Sequence, residues 1–330
     1  MAARLEIIYT KGQKIMVIGI DLGGMSAKAA LLVGDQLKGK SRVETSASNT
    51  AEQTAVALAQ LVLQTAEKAN KSMDDIQAIG IGSPGVVDST DGVIASWTNF
   101  GWKNVPLASL VEKYTGKKTF VLNDANAAAL GEARYGAGRQ YSSSVLLTLG
   151  TGIGSGIILG GKLFEGFRSA GAEIGHVVLH KDGELCSCGR RGCFERYASA
   201  SALIRMTQEK MRSVPQSALW KYAPTVEQAD GRTVFLALKE GDEAAKSVLD
   251  GYVAELGEGI TNIVNAFRPQ AIILGGGISA ECETLLAPLR KYVYPRIYVS
   301  QDYAPLEICC ASLGNDAGLY GAAAYAFARL

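Results

Sequence analysis

Two histidines occur in the 330-residue chain, and both fall in one short stretch beside three of its six cysteines. The stretch reads Glu173-Ile174-Gly175-His176, then His180, then Cys186-Ser187-Cys188-Gly189-Arg190-Arg191-Gly192-Cys193-Phe194-Glu195. Three thiolates and one imidazole complete a tetrahedral donor set for Zn2+, a closed site of the structural kind. Cys186, Cys188 and Cys193 supply the sulfurs, and either His176 or His180 the nitrogen. Gly189 and Gly192 permit the turns that gather three sulfurs round one ion. The Gly, Arg and Ser between the cysteines argue against buried core thiols, and nothing secretory supports a disulfide framework. Glu173 and Glu195 flank the ligands, so a bound metal would fix two carboxylates in space.

A second chemistry lies in the glycine loops. Asp21-Leu22-Gly23-Gly24 and Gly150-Thr151-Gly152-Ile153-Gly154 each follow a short β-branched run. Either could be a plain hairpin turn. Together, in matching positions, they fit a phosphate device in which glycines let backbone N–H groups approach an anion. Asp21, at the end of the first strand, can hold Mg2+ through water. No GxxxxGK[ST] occurs. A formal GxGxxG at Gly80, Gly82 and Gly85 follows a strand, but residues 84–92 read as extended chain and turn. A dinucleotide site needs a helix to start there, so that reading is set aside.

The elements that must position these residues form a repeating pattern. Residues 15–20 read as a buried strand, with Ala27–Val33 as its hairpin partner. Residues 49–70 read as an amphipathic helix, 77–81 and 119–122 as strands, and Asp124–Ala137 as a helix. The pattern then restarts. Ser144–Leu149 and Gly156–Leu159 predict a second hairpin, followed by helices at 200–212 and 243–267, the latter stopped by Arg268-Pro269. Ala271–Leu274 reads as a strand closing on Gly275-Gly276-Gly277, and Ala317–Leu330 as a terminal helix. Two similar α/β halves with glycine loops at strand ends predict a ligand cleft between domains. Cys309-Cys310, after a strand-like run, reads as small apolar packing.

Composition excludes other classes. Hydrophobic residues make up 48% and charged residues 20%, which is globular. A net charge of +1 gives no footprint for a nucleic-acid backbone. No apolar run reaches the roughly 20 residues that cross a bilayer. Ile7-Ile8-Tyr9 is too short for a signal-peptide core, and a thiolate site suits the reducing cytoplasm.

After residue 14 the sequence resembles the ROK sugar kinases, and within them the bacterial glucokinases. The resemblance rests on Asp21-Leu22-Gly23-Gly24, Gly82-Ser83-Pro84-Gly85, Asn99-Phe100-Gly101-Trp102, Asn123-Asp124-Ala125-Asn126, Gly150–Gly154, the Glu173-to-Glu195 segment and Gly275–Gly277. It implies an actin-like, hexokinase-like ATPase fold of two α/β domains, 1–122 with 317–330 and 123–316, the second carrying the zinc site. Asp124 would be the general base for the sugar 6-hydroxyl. Asn123, Glu173, His176 and Glu195 would bind the other hydroxyls, with Gly85, Asn99 and Gly152 lining the pocket. Gly23 and Gly24 fall in the first phosphate loop, and Thr151, Gly152, Gly275, Gly276 and Gly277 would face the nucleotide. His176, Cys186, Cys188 and Cys193 would hold Zn2+. ATP with Mg2+ and a hexose would be the substrates, with no nucleic-acid or membrane partner, in a homodimer or homotetramer.

One residue departs from the pattern. The family usually has threonine where this chain has Met25, with Ser26 adjacent and Lys28 on the next strand as possible compensation. Two readings compete with a glucokinase. One is a kinase for N-acetylmannosamine, fructose, allose or a β-glucoside; the other is a non-catalytic sugar-sensing regulator. A repressor needs a helix-turn-helix ahead of the sugar domain, and only 14 residues precede the first strand.

Overall fold

The computed structural model describes residues 15–278 and 281–330, so the signal-peptide reading of residues 1–14 lies outside the described residues. Two compact units divide the chain. Unit 1 takes residues up to Ser143, Gly156–Ala172 and Ser312–Leu330; unit 2 takes Ser144–Ser155 and Glu173–Ala311.

Unit 1 is built on strands β1 (Val17–Leu22), β2 (Ser26–Val33), β3 (Gln36–Glu44), β4 (Ala78–Ser83) and β8 (Lys118–Asn123). They lie in the order β3-β2-β1-β4-β8, with β1, β4 and β8 parallel and the first two hairpins antiparallel. The apolar runs of β1 and β4 are buried along their length, as parallel central strands require. Helix α1 (Ala51–Lys68) begins with a capping box, in which Gln53 N donates to Thr50 and Thr50 N to Gln53. A smaller antiparallel sheet of β5 (Val86–Asp88), β6 (Val93–Trp97) and β7 (Trp102–Val105) follows, then α2 (Leu107–Thr115) and α3 (Asp124–Tyr135). The later part of β10 (Ile153–Leu159) pairs with β11 (Lys162–Phe164), and α10 (Ala317–Phe327) completes the unit.

Close backbone approach explains two of the glycines. A Cβ on Gly19 would lie 2.1 Å from the Leu319 carbonyl oxygen, and one on Gly80 would lie 1.8 Å from that of Ala322. Both strands therefore carry α10 directly on their backbones. The GxGxxG at 80–85 is a packing feature, in agreement with the rejection of a dinucleotide site.

The units divide elsewhere than after residue 122. Residues 123–143, 156–172 and 312–316 sort with unit 1. The cause is the α3–α10 crossing, where a Cβ on Gly321 would meet the Ala127 carbonyl at 1.6 Å. Glu132 on α3 adds to it, accepting from the backbone N–H groups of Ser312 and Leu313 at 3.0 and 2.8 Å.

Unit 2 holds the parallel strands β9 (Ser144–Leu149), β12 (Ala271–Gly276) and β13 (Glu307–Cys310), in the order β9-β12-β13. Its helices are α4 (Glu195–Ala198), α5 (Ala200–Ser213), α6 (Leu219–Tyr222), α7 (Thr233–Lys239), α8 (Glu243–Phe267) and α9 (Cys282–Val293). The longest, α8, is capped by Asp242 and ends where Arg268 turns left-handed at φ 42° before Pro269. The expected loop 150–155 is shorter, because β10 already begins at Ile153. Cys310 is not merely apolar filler: it forms a disulfide with Cys282, joining the start of α9 to the end of β13 across a Cα–Cα distance of 5.9 Å. The two elements meet only through the tertiary fold, which neighbouring residues do not reveal. Among the described residues, no helix is long and apolar enough to cross a membrane.

Candidate active site

In unit 1 the chemistry collects at the carboxyl ends of β1, β4 and β8. Asp21 lies near the end of β1, in register with Lys28 on β2. The hairpin between them is held by Gly23 N donating to Ser26 O at 2.9 Å and by the Thr45 hydroxyl donating to Gly23 O at 2.8 Å. Thr45 N also donates to Met25 O. Gly24 is exposed, and the Met25 side chain is 84% exposed. Burial raises the Asp21 carboxyl above its ordinary range; Lys28 opposes this and Asp124 adds to it.

At the end of β8, Asn123 is the N-cap of α3, accepting from Ala125 N at 2.9 Å and Asn126 N at 3.1 Å. Its amide nitrogen donates to Gly85 O at 3.2 Å, tying β8 to the turn after β4. Gly85 has φ 89°, and a Cβ there would lie 2.3 Å from Ser96 O. The capping role is thus filled by Asn123, and Asp124 is the first helical residue, accepting from its neighbour Ala125 N at 2.8 Å. Position at a helix N-terminus suggests that Asp124 is simply held ionised. The structure alters that expectation, because lost hydration outweighs the backbone N–H groups and raises its carboxyl. Asn99 is exposed, in a 3-10 turn gripped by buried aromatics: Trp97 stacks on Phe100 at 3.8 Å, and Trp102 meets both edge-on.

In unit 2, His176, Cys186, Cys188 and Cys193 converge, with their ligand atoms all within 4.8 Å of one another. His176 Nδ1 lies 3.6 Å from Cys186 Sγ, and Cys188 Sγ lies 3.6 Å from Cys193 Sγ. Tetrahedral zinc with Zn–S of about 2.3 Å separates its ligand atoms by about 3.7 Å, so the spacing fits the ion. The donor chemistry fits as well. Burial pushes the Cys186 and Cys193 thiols up, while a backbone hydrogen bond from Arg190 holds Cys188 down. A divalent cation is what would keep two buried sulfurs as thiolates. His180 lies outside the cluster, with Nε2 at 2.6 Å from Glu255 and its ring against Tyr197. Cys282, Cys309 and Cys310 also lie outside it.

Glu195 links this cluster to the second glycine loop. Its Oε1 accepts from Cys186 Sγ at 3.0 Å and lies 3.7 Å from His176 Nδ1. Its Oε2 accepts from Ile153 N at 3.4 Å and would sit 2.2 Å from a Cβ on Gly152. Thr151 is exposed beside it, and Glu173 is exposed at the start of the 3-10 turn that carries His176. Gly275 and Gly276 end β12, and Gly277 follows it. Gly276 has φ 89° and packs on the Leu149 backbone, so no side chain fits there. Two positioning residues were not foreseen from sequence: Thr45, and Ser155, whose hydroxyl accepts from Ile174 N at 3.2 Å. Ser155 is a polar residue at a buried strand position, the only hint the sequence offers.

The model of the ROK family matches residues 17–329. The chain belongs to the ROK family. Among its ROK relatives is a glucokinase of Thermotoga maritima, 38% identical over 312 residues, which are 94% of this chain and 96% of that protein. A crystal structure of a ROK glucokinase from Streptomyces griseus, in complex with glucose and AMPPNP, superposes with a TM-score of 0.80 at 34% identity, covering 95% of this chain and 99% of the other. A xylose repressor of Caldicellulosiruptor bescii is 31% identical over 261 residues, 79% of this chain but 65% of the repressor. The fold is therefore that of the ROK kinases, as the motifs implied.

Proposed function

We propose that this protein is an ATP-dependent glucokinase. The observation that carries this reading is Asp124, a carboxylate released from capping duty by Asn123 and raised in proton affinity by burial. The glucokinase relatives, matched over nearly their full length, support the same substrates.

Asp124 accepts the proton of the sugar 6-hydroxyl as that oxygen bonds to the γ-phosphorus and the bond to ADP breaks. Phosphoryl transfer has a loose transition state, so placing the hydroxyl matters as much as taking its proton. Asn123, Asn99, Glu173, His176 and Glu195 bind the remaining hydroxyls, carboxylates and amide accepting from a neutral polyol. Gly85 and Gly152 line the pocket, their missing side chains making way for Ser96 O and for Glu195 Oε2. Gly24, Thr151, Gly152 and Gly275–Gly277 face ATP through their backbone, with Gly23 closing the first loop on Ser26 O and with Ser26 and Lys28 beside it. Mg2+ would neutralise phosphate charge, with Asp21 holding it through water. Zn2+ would be held by His176, Cys186, Cys188 and Cys193 with no open position, which makes it structural. His176 offers Nδ1 to the cluster, leaving Nε2 for a sugar hydroxyl. Assembly as a homodimer or homotetramer and a cytoplasmic setting belong to the same reading.

A coupled assay over a panel of glucose, N-acetylmannosamine, fructose, allose and a β-glucoside, with ATP and Mg2+, tests it. Glucose is expected to give the highest kcat/KM. Turnover of none of them would favour a sugar-sensing regulator, and preference for another sugar would reassign the substrate.

A further inference from the structure

We propose that Asp88 and Arg168 form a clasp that positions the sugar-binding turns. This rests on the glucokinase reading and adds two residues that touch neither sugar nor nucleotide. Asp88 ends β5, three residues after Gly85, and its side chain is only 9% exposed. The Arg168 guanidinium donates to one of its oxygens through Nε at 3.1 Å and a terminal nitrogen at 3.0 Å. The next residues repeat the contact: Ser89 Oγ lies 2.5 Å from Ser169 Oγ, and Ser89 N donates to the same hydroxyl at 3.2 Å.

The loop that is clasped is unusual in backbone. Arg168, Ser169 and Ala172 have φ of 51°, 58° and 65°, a region that side-chain-bearing residues seldom adopt. Gly171 N donates to Glu165 O at 2.8 Å, closing the loop at its base. Glu165 is itself fixed, accepting from the Tyr325 hydroxyl and pairing with Arg329 at 3.6 Å. Three left-handed residues persist only where surrounding contacts over-determine them, and the Asp88 and Ser89 contacts supply that constraint. Their location gives the constraint a use. Gly85 stands three residues before Asp88, and Glu173 five residues after Arg168, so the clasp sets the anchor points of two sugar-binding segments.

The test measures KM for glucose and for ATP, kcat, and glucose affinity by tryptophan fluorescence in Arg168→Ala, Arg168→Lys and Asp88→Asn. Arg168 is 70% exposed, so its truncation leaves no cavity and keeps the protein folded if Asp88→Asn fails. Arg168→Ala should raise the glucose KM and Kd about tenfold, the scale of one lost charge-assisted hydrogen bond. Its kcat should stay within about twofold and the ATP KM should not move, because the chemistry and the phosphate loops are untouched. Arg168→Lys, which restores charge but not the fork, should recover part of the glucose affinity. An unchanged glucose KM in Arg168→Ala, or an equal rise in both KM values, overturns the clasp. Failure of the wild-type protein to phosphorylate any sugar would instead overturn the function on which it rests.

Discussion

At the scale of the residue, Asp124 combines two demands that pull against each other. A base needs proton affinity, and burial supplies it by withholding water from the charged form. The folded carboxyl then titrates above its ordinary value of 3.8, so ionised Asp124 lowers stability at neutral pH; its favourable contribution is full below the unfolded pKa and lost as pH rises through the folded one. Asp124→Asn should therefore abolish turnover, by at least the roughly 10^2–10^4-fold worth of a general base, while raising Tm at pH 7. Calorimetry beside the kinase assay checks both, and a lower Tm would contradict the account of burial. In the wild type, kcat/KM for glucose should fall on the acid side with an apparent pKa above 3.8. Met25 poses a smaller question. Its side chain stands in solvent, at the position where the family resemblance implies a threonine hydroxyl. Met25→Thr should lower the ATP KM a few-fold, less than the about 10- to 150-fold of a full hydrogen bond to a charged group, and leave the glucose KM unchanged. If neither this change nor Ser26→Ala affects the ATP KM, the hairpin binds phosphate through backbone alone.

Elements fix how well these residues are aimed. Phe194, between the proposed ligand Cys193 and Glu195, is 2% exposed and packs on α8 where Gly259 lacks a side chain. A Cβ on Gly259 would lie 2.1 Å from the Phe194 ring. Gly259→Ala should thus cost about 1–3 kcal/mol of stability by overpacking and raise the glucose KM more than the ATP KM. The proposed zinc would act on the same segment. Metal analysis should find one zinc per chain, and stripping it with a chelator should weaken glucose binding, because Glu195 and His176 lose their shared anchor. Undiminished glucose affinity in the stripped protein would show that packing alone aims them. The convergence of His176, Cys186, Cys188 and Cys193 was legible in sequence because all four lie within eighteen positions and no other histidine-rich stretch competes. The choice between His176 and His180 was not legible from spacing, since it depends on Glu255, seventy-five residues away, occupying His180. The loop at 165–172 escaped notice for a related reason. Its left-handed residues are Arg, Ser and Ala, whose usual preferences are overridden by partners eighty positions distant.

Over the whole molecule, the same distinction between local and distant constraints decides what could be read. The two hairpins and the buried strands announce themselves through β-branched runs and glycines, so the α/β class followed, while the ATPase fold came from the resemblance to the ROK kinases. The division into units did not, because α3 joins unit 1 through a helix crossing with α10 that brings residues 127 and 321 together. The chain passes between the units at four points: after Ser143, Ser155, Ala172 and Ala311. Two of these passages adjoin residues assigned to the substrates, Ser155 beside the second glycine loop and Ala172 before Glu173. The proposed sugar ligands come from both units, Asn123 and Asp124 from one and Glu173, His176 and Glu195 from the other. Each set can therefore be tested within its own unit. Asp124→Ala in unit 1 should abolish turnover, because no neighbouring carboxylate in Asn123-Asp124-Ala125-Asn126 can take the proton. Glu195→Gln in unit 2 keeps the size of the side chain and removes its charge, so it should raise the glucose KM about tenfold and leave the ATP KM in place. An unchanged glucose KM in Glu195→Gln would mean that the segment from Glu173 to Glu195 does not hold the sugar, and the assignments of Glu173, His176 and Glu195 would have to be withdrawn.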